Sequence, residues 1–275
     1  MTRMLDDRSA PRTVTVDRSR PVRLTRRGLL QGLASGSVVA LTGCVANPHL
    51  GGREQLMLVS DSQLAAMSGT TWQQVTQQYR PVRRGHMAQA VDRVGHRIVG
   101  ASGLDPNRNW QFTLLDSNEV NAFVLPGGQV AFFEGITQKF QNEDQMATVM
   151  GHEVGHVAGR HAAERASQQL VAGLGMTVAQ VIIASSDTRY AAEIAGVLGA
   201  GVTFGYILPY SRQHEYEADA LGLRYMARAG YQPRESVRFW QNMMGSGQQV
   251  TEFMSTHPSD RNRIAALNHQ IQSLG

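Results

Sequence analysis

The stretch MGHEVGHV, residues 150–157, constrains this chain more than any other. His152 and His156 stand four apart, and Glu153 follows the first of them. On an α-helix, at about 100° per residue, positions four apart lie about 40° from each other, so the two imidazoles stack on one face and can converge on one ion. Neutral imidazole suits zinc, with a bond of about 2.0–2.1 Å. Glu153 leaves the backbone about 100° from His152. It reaches alongside the ion without binding it and can accept a proton from water that the ion polarises. The flanks Val149, Met150, Val154 and Val157 are apolar, so these polar side chains belong to a poorly exposed helix. Gly151 and Gly155 each weaken a helix by roughly 1 kcal/mol, which makes sense where another element must approach closely. A fold that accommodates this stretch buries a long helix and brings a further ligand to it from elsewhere.

Zinc catalysis needs a third protein ligand and an open fourth position. In the extended pattern H-E-x-x-H-x-x-G-x-x-H, Gly159 is in place, but the final histidine falls on Ala162. His161 is one residue early and rotates away by about 100°. The third ligand is therefore expected from a distant element, and HEYEADALG at 214–222 supplies it. Glu215 would bind the metal, and Asp219, one turn later, would accept the other N–H of a zinc histidine. Glu217 projects off that face, and His214 adjoins the site from another side as a lesser candidate. His86 and His96 read as surface or packing residues rather than as ligands.

Around these motifs the pattern alternates between helices and a short β region. Residues 60–79, 83–102, 142–170, 211–230, 232–244 and 256–274 carry capping residues and apolar positions at helical spacing. Residues 110–116 and the two apolar runs of 120–136, around Pro126, Gly127 and Gly128, predict a small antiparallel sheet with a hairpin-like turn. Residues 171–210 are apolar and glycine-rich. The halves are too short to span a bilayer and are interrupted by Asp187, Arg189 and Glu193, so packing over the active helix or contact with a membrane surface is expected. GSGQQ, 245–249, reads as a flexible loop.

The net charge of +4 suggests a nucleic-acid partner until the charge is located. Residues 1–43 hold eight arginines and three aspartates, which leaves 18 basic and 19 acidic groups on the rest of the chain. The basic character belongs to the leader, and a nucleic-acid partner is excluded. Arg26 and Arg27 precede the apolar stretch 29–43, the pattern of a twin-arginine export signal. That stretch ends in LTGC, which resembles a lipoprotein lipobox, with Cys44, the single cysteine, as the lipidated residue. The expected organisation is a signal peptide over 1–43, a lipid-anchored tether over 44–59 and one domain over 60–275. Val45 after the cysteine points to the outer membrane.

NAFVLPGGQVAFFEGI, HEVGHVAGRH, SRQHEYEADALG and STHPSDRNRI stand in the order found in the HtpX-like and CAAX-prenyl-protease-like zinc metallopeptidases, metallopeptidase family forty-eight. The chain resembles in particular the periplasmic lipoprotein members, over roughly residues 50–272. The resemblance implies an α+β, mostly helical, zincin-like (gluzincin) domain with a small antiparallel sheet next to the HExxH helix. It implies one Zn²⁺ per chain held by His152, His156 and Glu215, with Glu153 as general base and Asp219 as orienting carboxylate. It places His257 facing the metal, to stabilise the oxyanion or to occupy the open position before substrate enters. It further implies an edge strand above the zinc, with Val130, Ala131 and Phe132 as the edge and Gly127 and Gly128 allowing close approach of a peptide backbone. The expected substrates are misfolded or assembling envelope proteins, met on the periplasmic side of the envelope. The alternative is a chaperone-like lipoprotein that binds unfolded proteins with little hydrolysis, for which Glu153 would have no use.

Overall fold

The HEVGH stretch lies in a helix buried on every side, and the rest of the fold is arranged around it. In this computed structural model the described residues are 44–174, 210–245, 252–258 and 261–274. The leader, most of the apolar stretch at 171–210 and the loop after Gly245 lie outside them.

The chain enters as a hairpin, β1 (Cys44–Asn47) and β2 (Arg53–Leu56), paired antiparallel from Cys44 opposite Leu56 to Asn47 opposite Arg53. The hairpin occupies most of the stretch 44–59 expected as a tether. The Pro, Asn and Gly residues form the turn between the strands, where Asn47 caps the short 3₁₀ turn Pro48–Leu50 and Gly51 takes a left-handed φ of 66°. Helix α1 (Asp61–Gln78) follows, started by a capping box between Ser60 and Gln63. After the two-residue strand β3 (Pro81–Val82), α2 (His86–Ser102) presents Val91, Val94 and Ile98 to the core.

Strands β4 (Gln111–Leu115), β5 (Ala122–Val124) and β6 (Gln129–Phe133) join β3 in one sheet of order β3-β4-β6-β5. The sheet is small, as expected, but mixed rather than antiparallel. β5 and β6 form the expected hairpin, while β4 runs parallel to β6, with Gln111 opposite Gln129 and Leu115 opposite Phe133. β6 is buried along its whole length. Val130 and Phe132 face the core shared with α2, and Ala131 and Phe133 face a second cluster with Leu115, Phe123 and Trp72 of α1. A strand covered on both faces reads as an unbroken apolar run, which is how VAFF reads.

After the short helix α3 (Glu134–Thr137), α4 (Glu143–Ala158) begins at Asn142, whose side-chain oxygen accepts the Gln145 N–H, and every residue from Gln145 to Ala158 is buried. The predicted helix 142–170 does not run through. Arg160 takes a left-handed φ of 53°, and the chain restarts as α5 (His161–Leu174). At Gly159 a side chain would meet the His161 imidazole at 2.2 Å, so the bend folds the ring back over this position. Helix α6 (Arg212–Arg228) crosses α4, and α7 (Arg234–Gly245), α8 (Glu252–Thr256) and α9 (Arg261–Gln272) close the core with Phe239, Trp240, Phe253 and Leu267. Among the described residues no helix is long and apolar enough to cross a membrane.

Candidate metal centre

Two helices supply the donors because their backbones touch. A Cβ on Gly155 would lie 2.6 Å from the Ala218 carbonyl oxygen, and one on Gly151 would lie 3.1 Å from that of Gly222. This is the close approach that the two glycines in the motif predict. It brings Glu215, in the first turn of α6, up against the paired histidines of α4.

His152 Nε2 and His156 Nε2 are 3.0 Å apart. Glu215 places Oε2 3.4 Å from the first nitrogen and Oε1 3.4 Å from the second. A tetrahedral zinc with bonds of about 2.0–2.1 Å holds its donors roughly 3.3 Å apart, so this triangle is of the right size for one ion. His257, in the bend after α8, adds Nδ1 at 3.1 Å from His152 Nε2 and 3.3 Å from Glu215 Oε1. The donor atoms of these four buried residues lie within 4.8 Å of one another. Glu153 stands beside them with Oε1 3.4 Å from His257 Nε2, and that oxygen is buried without a hydrogen bond. Three imidazoles, a carboxylate and a spare carboxylate oxygen form the donor chemistry of zinc.

The surroundings fix the ring orientations. Asp219 Oδ1 is 2.9 Å from His152 Nδ1, the contact expected of an orienting carboxylate. Arg263 of α9, 1% exposed, binds both oxygens of Asp219, through Nε at 2.6 Å and Nη2 at 2.9 Å. Its Nη1 lies 2.9 Å from Glu215 Oε2, and its guanidinium sits 3.6 Å from the Trp240 ring centroid. Tyr210 stacks on His156 with ring centroids 3.9 Å apart.

Burial works to raise the pKa of Glu215, but His257, Arg263 and His152 outweigh it and hold the group well below the ordinary value. For Asp219 burial is outweighed in the same way, chiefly by Arg263. Burial pushes Glu153 up. It would lower His152, yet the charge of Glu215 and the bond to Asp219 take that imidazole up to about 9. The carboxylates around His152 thus favour positive charge there, while burial holds His156 well below its ordinary value and so neutral.

The structure brings together every residue expected at the centre: His152, Glu153, His156, Glu215, Asp219 and His257. It does not place the expected substrate strand at an edge. Val130, Ala131 and Phe132 belong to β6, which has β4 on one side and β5 on the other, so its backbone is already paired. The outer strand on that side of the sheet, among the described residues, is β5, one residue run earlier in the same motif. Gly128 serves the turn instead: its φ is 101°, and a Cβ there would lie 3.2 Å from Arg108. Cys44 is exposed at the start of β1, away from these donors in sequence.

Sequence reasoning missed Arg263, His161 and Tyr210. The signal for Arg263 was its place six residues after His257 within STHPSDRNRI. His161 was set aside on helical geometry, which the bend at Arg160 abolishes. His161 Nδ1 lies 2.9 Å from His156 Nδ1.

A family model described as Peptidase family M48 matches residues 86–271, a span that includes every residue of this centre. The mitochondrial metalloendopeptidase OMA1 of Schizosaccharomyces pombe is 35% identical over 184 residues, which cover 66% of this chain and 52% of that protein. OMA1 of Saccharomyces cerevisiae is 32% identical over 216 residues, or 72% of this chain and 59% of that protein. The beta-barrel assembly-enhancing protease of Escherichia coli is 28% identical over 195 residues, or 68% of this chain and 39% of that protein. The chain thus spans about half the length of the first two relatives, and less of the third. With two helices meeting at one donor cluster and a family match across most of the described residues, this chain belongs to peptidase family M48.

Proposed function

We propose that the protein is a zinc-dependent endopeptidase of the bacterial cell envelope that hydrolyses misfolded or assembling envelope proteins. The observation that carries this reading is the donor triangle of His152, His156 and Glu215 beside the unbonded, buried oxygen of Glu153. Zinc held there supplies Lewis acidity toward water and the scissile carbonyl.

The chain's own residues do the rest. Glu153 Oε1, kept free of hydrogen bonds and raised in pKa by burial, takes the proton of the attacking water and returns it to the leaving amine. Asp219 and Arg263 hold His152 in one orientation. An extended peptide pairs with the outer edge of β5, whose end residue Val124 lines a small recess with His156, Val157 and Tyr210. His257 Nδ1 stands among the donors, where it would occupy the open position until substrate enters and keep the resting site latent. Once displaced, its imidazole is in reach of the developing oxyanion.

The compartment rests on the leader: paired arginines, an apolar stretch and the lipobox-like LTGC ending at Cys44, which would carry the anchor into the outer membrane. Envelope substrates follow from that placement, and the name of the E. coli relative ties that protein to beta-barrel assembly.

Digestion of casein or an unfolded outer-membrane protein, with and without a chelator, tests the reading. Cleavage should stop on chelation. Glu153→Gln should cut the rate by about 10²–10⁴-fold while zinc content stays at one per chain. Cleavage that survives chelation or the Glu153 substitution overturns the proposal.

A further inference from the structure

The two zinc histidines are supported differently. His152 hands its Nδ1 directly to a carboxylate, Asp219. On its Nδ1 side His156 meets an imidazole where His152 meets a carboxylate. Its Nδ1 faces Nδ1 of His161 at 2.9 Å, and His161 Nε2 faces Glu217 Oε2 at 3.1 Å. Glu217 Oε2 in turn accepts from Arg53 Nη2 at 2.8 Å. Arg53 belongs to β2, far from the metal motif in sequence, and it also forms a fork on Glu164 of α5 at 2.9 and 2.7 Å.

Proton bookkeeping gives this chain of contacts a direction. With His156 Nε2 turned toward the other donors, a neutral ring carries its proton on Nδ1 and must donate it. His161 Nδ1 is then the acceptor, which leaves the His161 proton on Nε2, pointing at a carboxylate that cannot donate. Both rings have one tautomer that satisfies every contact. His161 is fully buried, and its face stacks on His214 at 4.5 Å and 15°, so the ring cannot turn away. The same hairpin grips the end of the metal helix: Asn47 Nδ2 donates to the Ala158 carbonyl at 3.0 Å and Gln55 Nε2 to that of Gly159 at 2.7 Å.

We infer that His161, Glu217 and Arg53 form a positioning relay for the metal ligand His156, which makes the N-terminal hairpin a working part of the metal site. None of the three offers an atom to the metal: His161 touches His156 on its far side, and Glu217 and Arg53 act through His161. Each acts through the next, and the outermost comes from the hairpin. The inference rests on the reading that His152, His156 and Glu215 hold zinc.

Competition for zinc against a chelating dye, on the folded full-length protein, tests it. His161→Ala and Glu217→Ala should each weaken zinc binding by about 10–100-fold, and Arg53→Met should weaken it less. His161→Asn places an acceptor oxygen where Nδ1 stood and should restore affinity to within a few-fold of the unmodified chain. In the cobalt-substituted protein, the visible absorption of His161→Ala should change while that of His161→Asn should not. Affinities of the His161→Ala and Glu217→Ala proteins within twofold of the unmodified chain overturn the relay. So does a His161→Asn protein as weak as His161→Ala, because packing alone would then explain the loss. Failure of the unmodified chain to bind zinc overturns the underlying reading instead.

Discussion

At the scale of single residues, the centre depends on charges that have been taken out of water in matched sets. Arg263 faces Asp219 and Glu215, and all three are almost wholly buried. Removing one partner of such a set leaves the others uncompensated, which costs about 3–5 kcal/mol where a buried pair is broken. Arg263→Leu should therefore lower unfolding free energy by an amount of that order in denaturant titrations. Arg263→Lys should fare poorly too, because an ammonium cannot span both oxygens of Asp219 as the guanidinium does. At this scale the sequence was most legible. The spacing of His152 and His156 fixes their convergence through helix geometry alone, and Asp219 follows from Glu215 by one turn. Arg263 was not legible in the same way, because no local periodicity ties it to residues 111 positions earlier.

At the scale of elements, the decisive join is where β2, α5 and α6 meet. Glu164 accepts from His214, Arg53 and Gln55. Burial works to raise its pKa, and those three bonds overcome it and hold the carboxyl far below the ordinary range. A carboxyl with a depressed folded-state pKa stabilises the fold fully above the unfolded value of about 4–5, and that contribution fades as pH falls below it. Stability should therefore drop with acidification below this range, and Glu164→Gln should flatten the slope, as read from urea unfolding at a series of pH values. Helix starts were readable here. Ser60 and Asn142 are caps in sequence and in structure, because a cap is a contact across three residues. The end of α4 was not. Continuing apolar spacing predicts a helix through 170, and the bend depends on Arg160 adopting a conformation that a non-glycine residue takes only when tertiary contacts hold it there.

At the scale of the whole molecule, the donors come from α4, α6 and the bend after α8, so metal binding should stabilise the fold as one unit. Free zinc at 1,000 times its dissociation constant contributes about 4 kcal/mol, which for a chain of this size raises the melting temperature by roughly 8–16 °C. Thermal unfolding with zinc, with a chelator, and after zinc is restored should show that shift and its recovery. The α+β class could be read from the pattern, since long helical runs surround one short β region. Sheet order could not be read. That β4 pairs parallel with β6, leaving β5 outermost, is a long-range choice that the turn at Gly128 does not reveal. The contact between α4 and α6 has a consequence of its own. Main chain rests on main chain at Gly151 and Gly222, so the gap between the helices is set by peptide dimensions and not by any side chain that substitution could enlarge or trim. Drift elsewhere in the interior can then erode the fold's resilience while the catalytic spacing stays in tune, and the two properties are free to evolve at different rates.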